Sequence, residues 1–150
     1  MTVEVAPGDP LEPAAAGLLK ASHALMSSLF PAEANHYLSI DALAAPDIRF
    51  FIARRGAATV GCGALALREG YGEVKSMFVA PEARGAGVAA LILERIEAEA
   101  RAEALPLLRL ETGDKLASAH ALYERIGFAY RGPFGEYRES PHSVFMEKRL

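Results

Sequence analysis

Apolar residues recur along this chain with two periods, and each change of period marks an element. Residues 2–7, TVEVAP, alternate and stop at a proline, which predicts a short first strand. Residues 12–30 are rich in alanine and leucine, with Leu18, Leu19, Leu25, Met26 and Leu29 near helical spacing and Pro31 closing the helix. Residues 35–46 predict a loop with a short helix, capped by Ser39 or Asp41. Ile48, Phe50 and Ile52 alternate through a strand over 47–56, and a turn at 56–59 leads to a return strand over 59–69. A glycine turn opens a third strand over 70–81, stopped by Pro81. Good helix formers fill 88–104, and a short apolar strand follows at 105–113. A further helix over 115–128 carries Gly127 just past its end; Phe128 starts the next strand, and 143–150 is a last alternating one. With helices after strands in both halves, a mixed sheet covered by helices, an α+β architecture, is the expected solution.

Composition narrows the class. At 150 residues the chain is long enough for one domain with a core and short for two, so residues 1–150 are expected to form one domain. No repeat, low-complexity tract or linker divides it. No apolar run approaches the roughly 18 residues of a membrane helix, so no membrane partner is expected. The net charge of -3 argues against a nucleic-acid surface, where a basic excess is expected. The start, MTVEVAPGDP, lacks a basic n-region and an apolar h-region, and the single cysteine, Cys62, cannot form an internal disulfide. A cytoplasmic location is the simplest expectation. None of the four histidines shows metal-ligand spacing, so no metal is expected.

Residues 77–93, MFVAPEARGAGVAALIL, run from a strand through a turn stripped of bulk into a helix. A helix N-terminus with bare N–H groups and the positive end of the macrodipole is an anion site, phosphate being the usual guest, and Arg84 adds a bidentate donor at its mouth. A tight turn that needs glycine for positive φ is the plainer alternative. The stretch from Gly85 to Ala90 also fits the dinucleotide pattern G-x-G-x-x-G/A, with Glu111 near the place of a ribose partner. In that pattern, however, the strand runs straight into the first glycine; here Pro81 has ended the strand and PEAR intervenes. A P-loop is excluded because no G-x-x-x-x-G-K-[ST] occurs.

Arg84-Gly85-Ala86-Gly87-Val88-Ala89 resembles the R/Q-x-x-G-x-G/A motif of the GNAT superfamily, the acetyl-coenzyme A-dependent N-acetyltransferases. SMFVAPEARG is similar to that family's fourth strand with its V-x-P-x-x-R-G ending, and SAHALYERIGF resembles its A-x-x-L-Y-x-x-x-G-F helix and following strand. The two blocks stand in register over residues 73–131. The tail, FGEYRESPHSVFMEKRL, resembles a bacterial subgroup of the family linked to indole-3-acetic acid metabolism, a hint about relatives rather than a substrate. The resemblance implies a mostly antiparallel twisted sheet of six to seven strands flanked by about four helices. It implies acetyl-CoA as cosubstrate, its pyrophosphate on the backbone of Arg84, Gly85, Ala86, Gly87, Val88 and Ala89. Met77, Phe78 and Val79 would offer backbone hydrogen bonds to the pantetheine arm as to an added strand. The expected reaction is direct acetyl transfer to a primary amine of a small molecule. A coenzyme A-binding regulator without useful catalysis and a protein lysine or N-terminal acetyltransferase are the alternatives. A homodimer is compatible with the resemblance, since family sheets often pair across dimers.

Amine acetylation needs a base for the ammonium proton, donors for the oxyanion and an acid for the leaving thiolate. Tyr123 matches the family's helix tyrosine and is the expected acid. The family often has an asparagine seven residues before it; here Leu116 stands there, so that role is absent or moved to Ser118 or Asp114. Glu73, eleven residues before Arg84, is the first choice for the base and Glu111 the second. His36 stands in a segment that in this family walls the acceptor pocket. The late loop PFGEYRESPH supplies Tyr137 and Arg138 as acceptor contacts, Arg138 for a carboxylate if the acceptor has one.

Overall fold

The computed structural model describes residues 2–150. One seven-stranded sheet, in the order β1-β2-β3-β4-β5-β7-β6, organises them. The strands are β1 (Val3–Pro7), β2 (Ile48–Arg55), β3 (Ala58–Arg68), β4 (Tyr71–Val79), β5 (Leu107–Gly113), β6 (Ala129–Arg131) and β7 (Ser143–Arg149). Every neighbouring pair is antiparallel except β4 with β5. The helices are α1 (Pro13–Leu29), α2 (Val88–Ala102) and α3 (Ala117–Ile126). No helix among the described residues is long and apolar enough to cross a membrane.

Both faces of the sheet are covered, which explains why β2 is buried on every residue from Phe50 to Ala53 rather than on alternate ones. Phe50 and Ile52 join Ala15 and Leu19 of α1 on one face, while Phe51 and Ala53 join Val88, Ile92 and Ile96 of α2 on the other. Tyr123 of α3 and Phe128 belong to the α2 side. Helix α2 lies close on β3 because Gly63 has no side chain. A Cβ there would stand 2.6 Å from both Ile92 Cγ2 and Met77 Sδ.

Among the described residues three α-helices form, where about four were expected. A 3-10 turn, Ala32–Ala34, precedes residues 35–46, and that segment, expected to hold a short helix, makes only a second such turn, Ala42–Ala44. Pro31 and Pro46 bracket it and it buries only Leu43 fully, so no stripe exists to hold a longer helix. Ser39 is the residue that caps the second turn: its Oγ accepts the Ala42 N–H at 3.1 Å.

Two irregularities in β4 position the site. Cys62 pairs with Phe78 but Ala64 pairs with Lys75, so Ser76 and Met77 together face Gly63 in a bulge. Ser76 takes φ of 56°, rare for a residue with a side chain. On its other edge β4 pairs with β5 only at Gly72 with Leu108 and Glu73 with Arg109, and beyond Glu73 the two strands part.

Candidate active site

Past the end of β4 the chain makes a 3-10 turn, Pro81–Ala83, and enters the glycine stretch. Gly85 and Gly87 have φ of 83° and 78°, and Gly87 is the left-handed N-cap of α2. An L side chain would be strained at either, yet no heavy atom lies within 4 Å of a Cβ built there. The glycines serve conformation and leave the outer side of the turn open. Among the described residues no backbone carbonyl takes the N–H of Gly85, Ala86 or Gly87. These donors and the first N–H groups of α2 form an anion cradle. Arg84 folds beside it: its Nε donates to the Val79 carbonyl at 3.2 Å and its guanidinium lies 5.6 Å from the Phe78 ring centre.

Where β4 and β5 part, a cavity of about 150 Å³ opens. Val74 to Met77 of β4 and Leu110 to Gly113 of β5 form its sides; Leu116, Ala119 and Tyr123 of α3 and Ser22, Met26 and Phe30 of the α1 segment complete it. The β5-facing edge of β4 past Glu73 has no strand partner, so its backbone groups suit an extended chain. Ser76 Oγ, on this wall, is buried and finds no hydrogen-bond partner among the described residues. An orphaned hydroxyl beside an unpaired strand edge fits a polar guest such as a pantetheine thioester. Tyr123 is buried in the wall, and burial pushes its hydroxyl up to about 12, so it keeps its proton at any ordinary pH. Of the stand-ins expected for the missing asparagine, Ser118 and Asp114 are exposed and neither lines the cavity, whereas Leu116 does. Cys62 is fully buried; its Sγ donates to the Ser76 carbonyl at 3.4 Å and its thiol is pushed up to about 12, which fits a core role.

The two glutamates differ in their surroundings. Glu73 is 3% exposed, and its carboxylate is taken by Arg68 Nε at 3.3 Å, by Lys75 Nζ at 3.4 Å and by the Tyr137 hydroxyl. Glu111 lines the small cavity and has one side-chain donor, Ser143 Oγ at 2.8 Å. Burial lifts its pKa above the ordinary value, against the smaller opposing effects of Ser143, His36 and Lys75. Glu111 therefore faces the cleft with a single side-chain donor, while three donors engage Glu73.

A larger cavity, about 800 Å³, adjoins the first and shares Ala34, His36, Tyr37, Lys75 and His142 with it. Tyr71, Glu73, Tyr137 and Arg138 also line it. His36 stands edge-on to the Tyr137 ring with centroids 5.2 Å apart, and Tyr37 stacks on His23 at 4.0 Å. Arg138 is exposed in this wall. The late loop is held from beneath by Phe134, which packs edge-on against Tyr71, Tyr137 and Phe145. Two residues here escape sequence reasoning. Phe134 stands in a run of polar and glycine residues that reads as solvated. Lys75 did leave a signal, standing two residues after Glu73 and so on the same face of the strand.

A family model described as an acetyltransferase (GNAT) domain matches residues 46–130. The chain is 51% identical to an IAA acetyltransferase of Azospirillum brasilense, over 99% of this chain and 98% of that one. It is 41% identical to YsnE, an uncharacterised N-acetyltransferase of Bacillus subtilis strain 168, over 83% of this chain and 85% of that one. Among solved structures, a Klebsiella pneumoniae protein provisionally assigned as an acyl-CoA N-acyltransferase superposes with a TM-score of 0.84 at 32% identity, covering 99% of this chain and 98% of that one. The PaiA N-acetyltransferase of Thermoplasma acidophilum, solved in complex with coenzyme A, shares the fold over 100% of both chains, with a TM-score of 0.75 at 15% identity.

Proposed function

The chain belongs to the GNAT acetyltransferase family, whose members use acetyl-CoA, and we propose that residues 1–150 form one domain that acetylates a primary amine of a small molecule by direct attack. The observation that carries this reading is the convergence of Glu111, Tyr123 and the unpaired edge of β4 on one small cavity that opens into a larger one. The name of the Azospirillum relative favours a small acceptor over a protein one.

Acetyl-CoA supplies an activated acetyl thioester. The Arg84 N–H is taken by the Pro81 carbonyl at 3.3 Å, so the N–H groups from Gly85 to Ala89, with the Arg84 guanidinium beside them, would hold its pyrophosphate, and the backbone of Met77, Phe78 and Val79 would orient the arm toward the cavity. Backbone N–H groups on the bulged strand would serve as donors to the thioester oxygen, where negative charge grows during attack. Glu111 Oε1 or Oε2 takes the proton of the incoming ammonium, a task its raised pKa suits. Glu73 is placed second as base, because three donors already engage its carboxylate. The Tyr123 hydroxyl gives its proton to the departing sulfur.

Tyr123→Phe is expected to lower kcat on the order of 10²-fold. Because the hydroxyl titrates near 12, the loss should be the same from pH 6 to pH 9. A loss confined to one limb of the pH–rate profile would remove the assigned role.

The reading is tested by thermal shift with acetyl-CoA, coenzyme A and NADH, followed by thiol release over a panel of amines. A ligand at ~100 times its Kd stabilises the folded state by ~2.7 kcal/mol. Stabilisation by acetyl-CoA with turnover of an amine is expected. Stabilisation with no turnover on any amine would leave a binding protein, and a response to NADH alone would restore the dinucleotide reading.

A further inference from the structure

We propose that Lys75 is the positioning residue that fixes the acceptor cleft, tying its two walls to β4; the inference rests on the larger cavity being the acceptor site. The walls come from distant parts of the chain. One is the segment after α1 that carries His36, and the other is the late loop that carries Tyr137 and His142. Neither wall has a helix or strand of its own at these residues. Lys75 rises between them from the edge where β4 leaves β5. Its Nζ donates to the His36 carbonyl at 3.0 Å, to the Tyr137 hydroxyl at 2.9 Å, and faces Glu73 Oε2 at 3.4 Å.

An ammonium has three N–H donors, and three acceptors converge on this one. Its side chain is only 9% exposed, so the group is committed to the protein and is not left for the substrate. The bonds form a directed chain. The Tyr137 hydroxyl accepts from Lys75 and donates to Glu73, whose other oxygen accepts from Arg68 Nε. A buried lysine is costly unless paired, and Glu73 supplies the counter-charge. The carboxylate two residues before Lys75 thus belongs to the tie, which accounts for its burial and for its occupied oxygens. Lys75 lines both cavities, so the tie stands at the passage between the acceptor cleft and the cavity holding Glu111 and Tyr123. By setting the distance between the walls it decides which amines reach Glu111.

The test compares wild type, Lys75→Met and Tyr137→Phe by amide hydrogen exchange and by kinetics with each amine that the panel finds active. Lys75→Met should speed exchange in residues 31–46 and 132–142 together, leaving α2 and β2 as in wild type. Tyr137→Phe should do so chiefly in 132–142. Both should raise the KM for the amine on the order of tenfold, because the loosened walls must then be ordered when the amine binds, while the KM for acetyl-CoA and kcat move less than about twofold. In Lys75→Met, exchange that rises in one wall only overturns the tie; in either variant, exchange that rises throughout the protein or an equal rise in the KM for acetyl-CoA does the same. If Lys75→Met does not fold, Tyr137→Phe carries the same decision for the late loop and the KM. If wild type acetylates no amine, it is the reading of function that fails, and the exchange pattern alone then decides the tie.

Discussion

Arg84→Glu is expected to abolish most of the protein's affinity for acetyl-CoA and coenzyme A while leaving the fold intact. The side chain is exposed and, among the described residues, makes one internal hydrogen bond, Nε–H to the Val79 carbonyl, besides its place over the Phe78 ring, so its loss costs the fold little. The ligand loses more. Gly87 caps α2 in the left-handed conformation and, among the described residues, the N–H groups of Gly85 to Gly87 have no backbone acceptor, so the turn offers bare donors. The guanidinium beside it is a nearby full positive charge. Removing a charged hydrogen bond to phosphate costs about 1.5–3 kcal/mol. Placing a carboxylate there adds a repulsion of about 1–4 kcal/mol at 4 Å. Together these weaken binding by roughly 10²–10⁵-fold, to be read by titration calorimetry. The difference from wild type should shrink as salt rises, because the site is open to solvent. Equal affinities would mean that the turn exists only to join β4 to α2.

The turn was legible in the sequence because its chemistry is backbone chemistry. Glycine spacing sets φ and leaves N–H groups bare whatever the rest of the chain does, and the structure places Gly85 and Gly87 at positive φ. The strand periods were legible for a similar reason, since alternation is local. The balance between the two glutamates was not. Glu73 and Glu111 are equivalent as letters, and what separates them comes from distant residues: Tyr137 engages Glu73 across 64 positions, and Ser143 approaches Glu111 across 32. Nor was the parting of β4 from β5 legible, although the cavity depends on it; pairing that stops after Glu73 has no periodic signature. Lys75 lies between these cases. Lys75 follows Glu73 by two residues on the same strand, so that pair is readable from the sequence, and only the fold identifies Tyr137 and the His36 carbonyl as further partners.

Glu111→Gln should slow the enzyme and yet not destabilise it. A general base contributes ~10²–10⁴-fold, and a loss in kcat of that size is expected. The effect on stability has the opposite sign from that of most carboxylates. Burial raises the pKa of Glu111 in the folded state above its ordinary value of 4.5, so the ionised form is accommodated less well folded than unfolded. Ionised Glu111 therefore costs stability above the raised pKa, and the cost disappears as pH falls below 4.5, where the group is protonated in both states. Glutamine keeps an oxygen for the Ser143 hydroxyl and carries no charge, so the variant should melt higher than wild type near pH 8 and lose that advantage in acid. The same shift governs the rate. Wild-type activity should fall as pH drops through the raised pKa and the base is protonated, and in Glu111→Gln that limb should be missing. A variant that melts lower at pH 8 would show that the carboxylate is held by more than Ser143. A variant that keeps both the rate and the acid limb would return the base to Glu73 or to water. Higher stability with lower activity is the combination that a carboxylate held for chemistry rather than for folding predicts, and it requires both measurements on one pair of proteins.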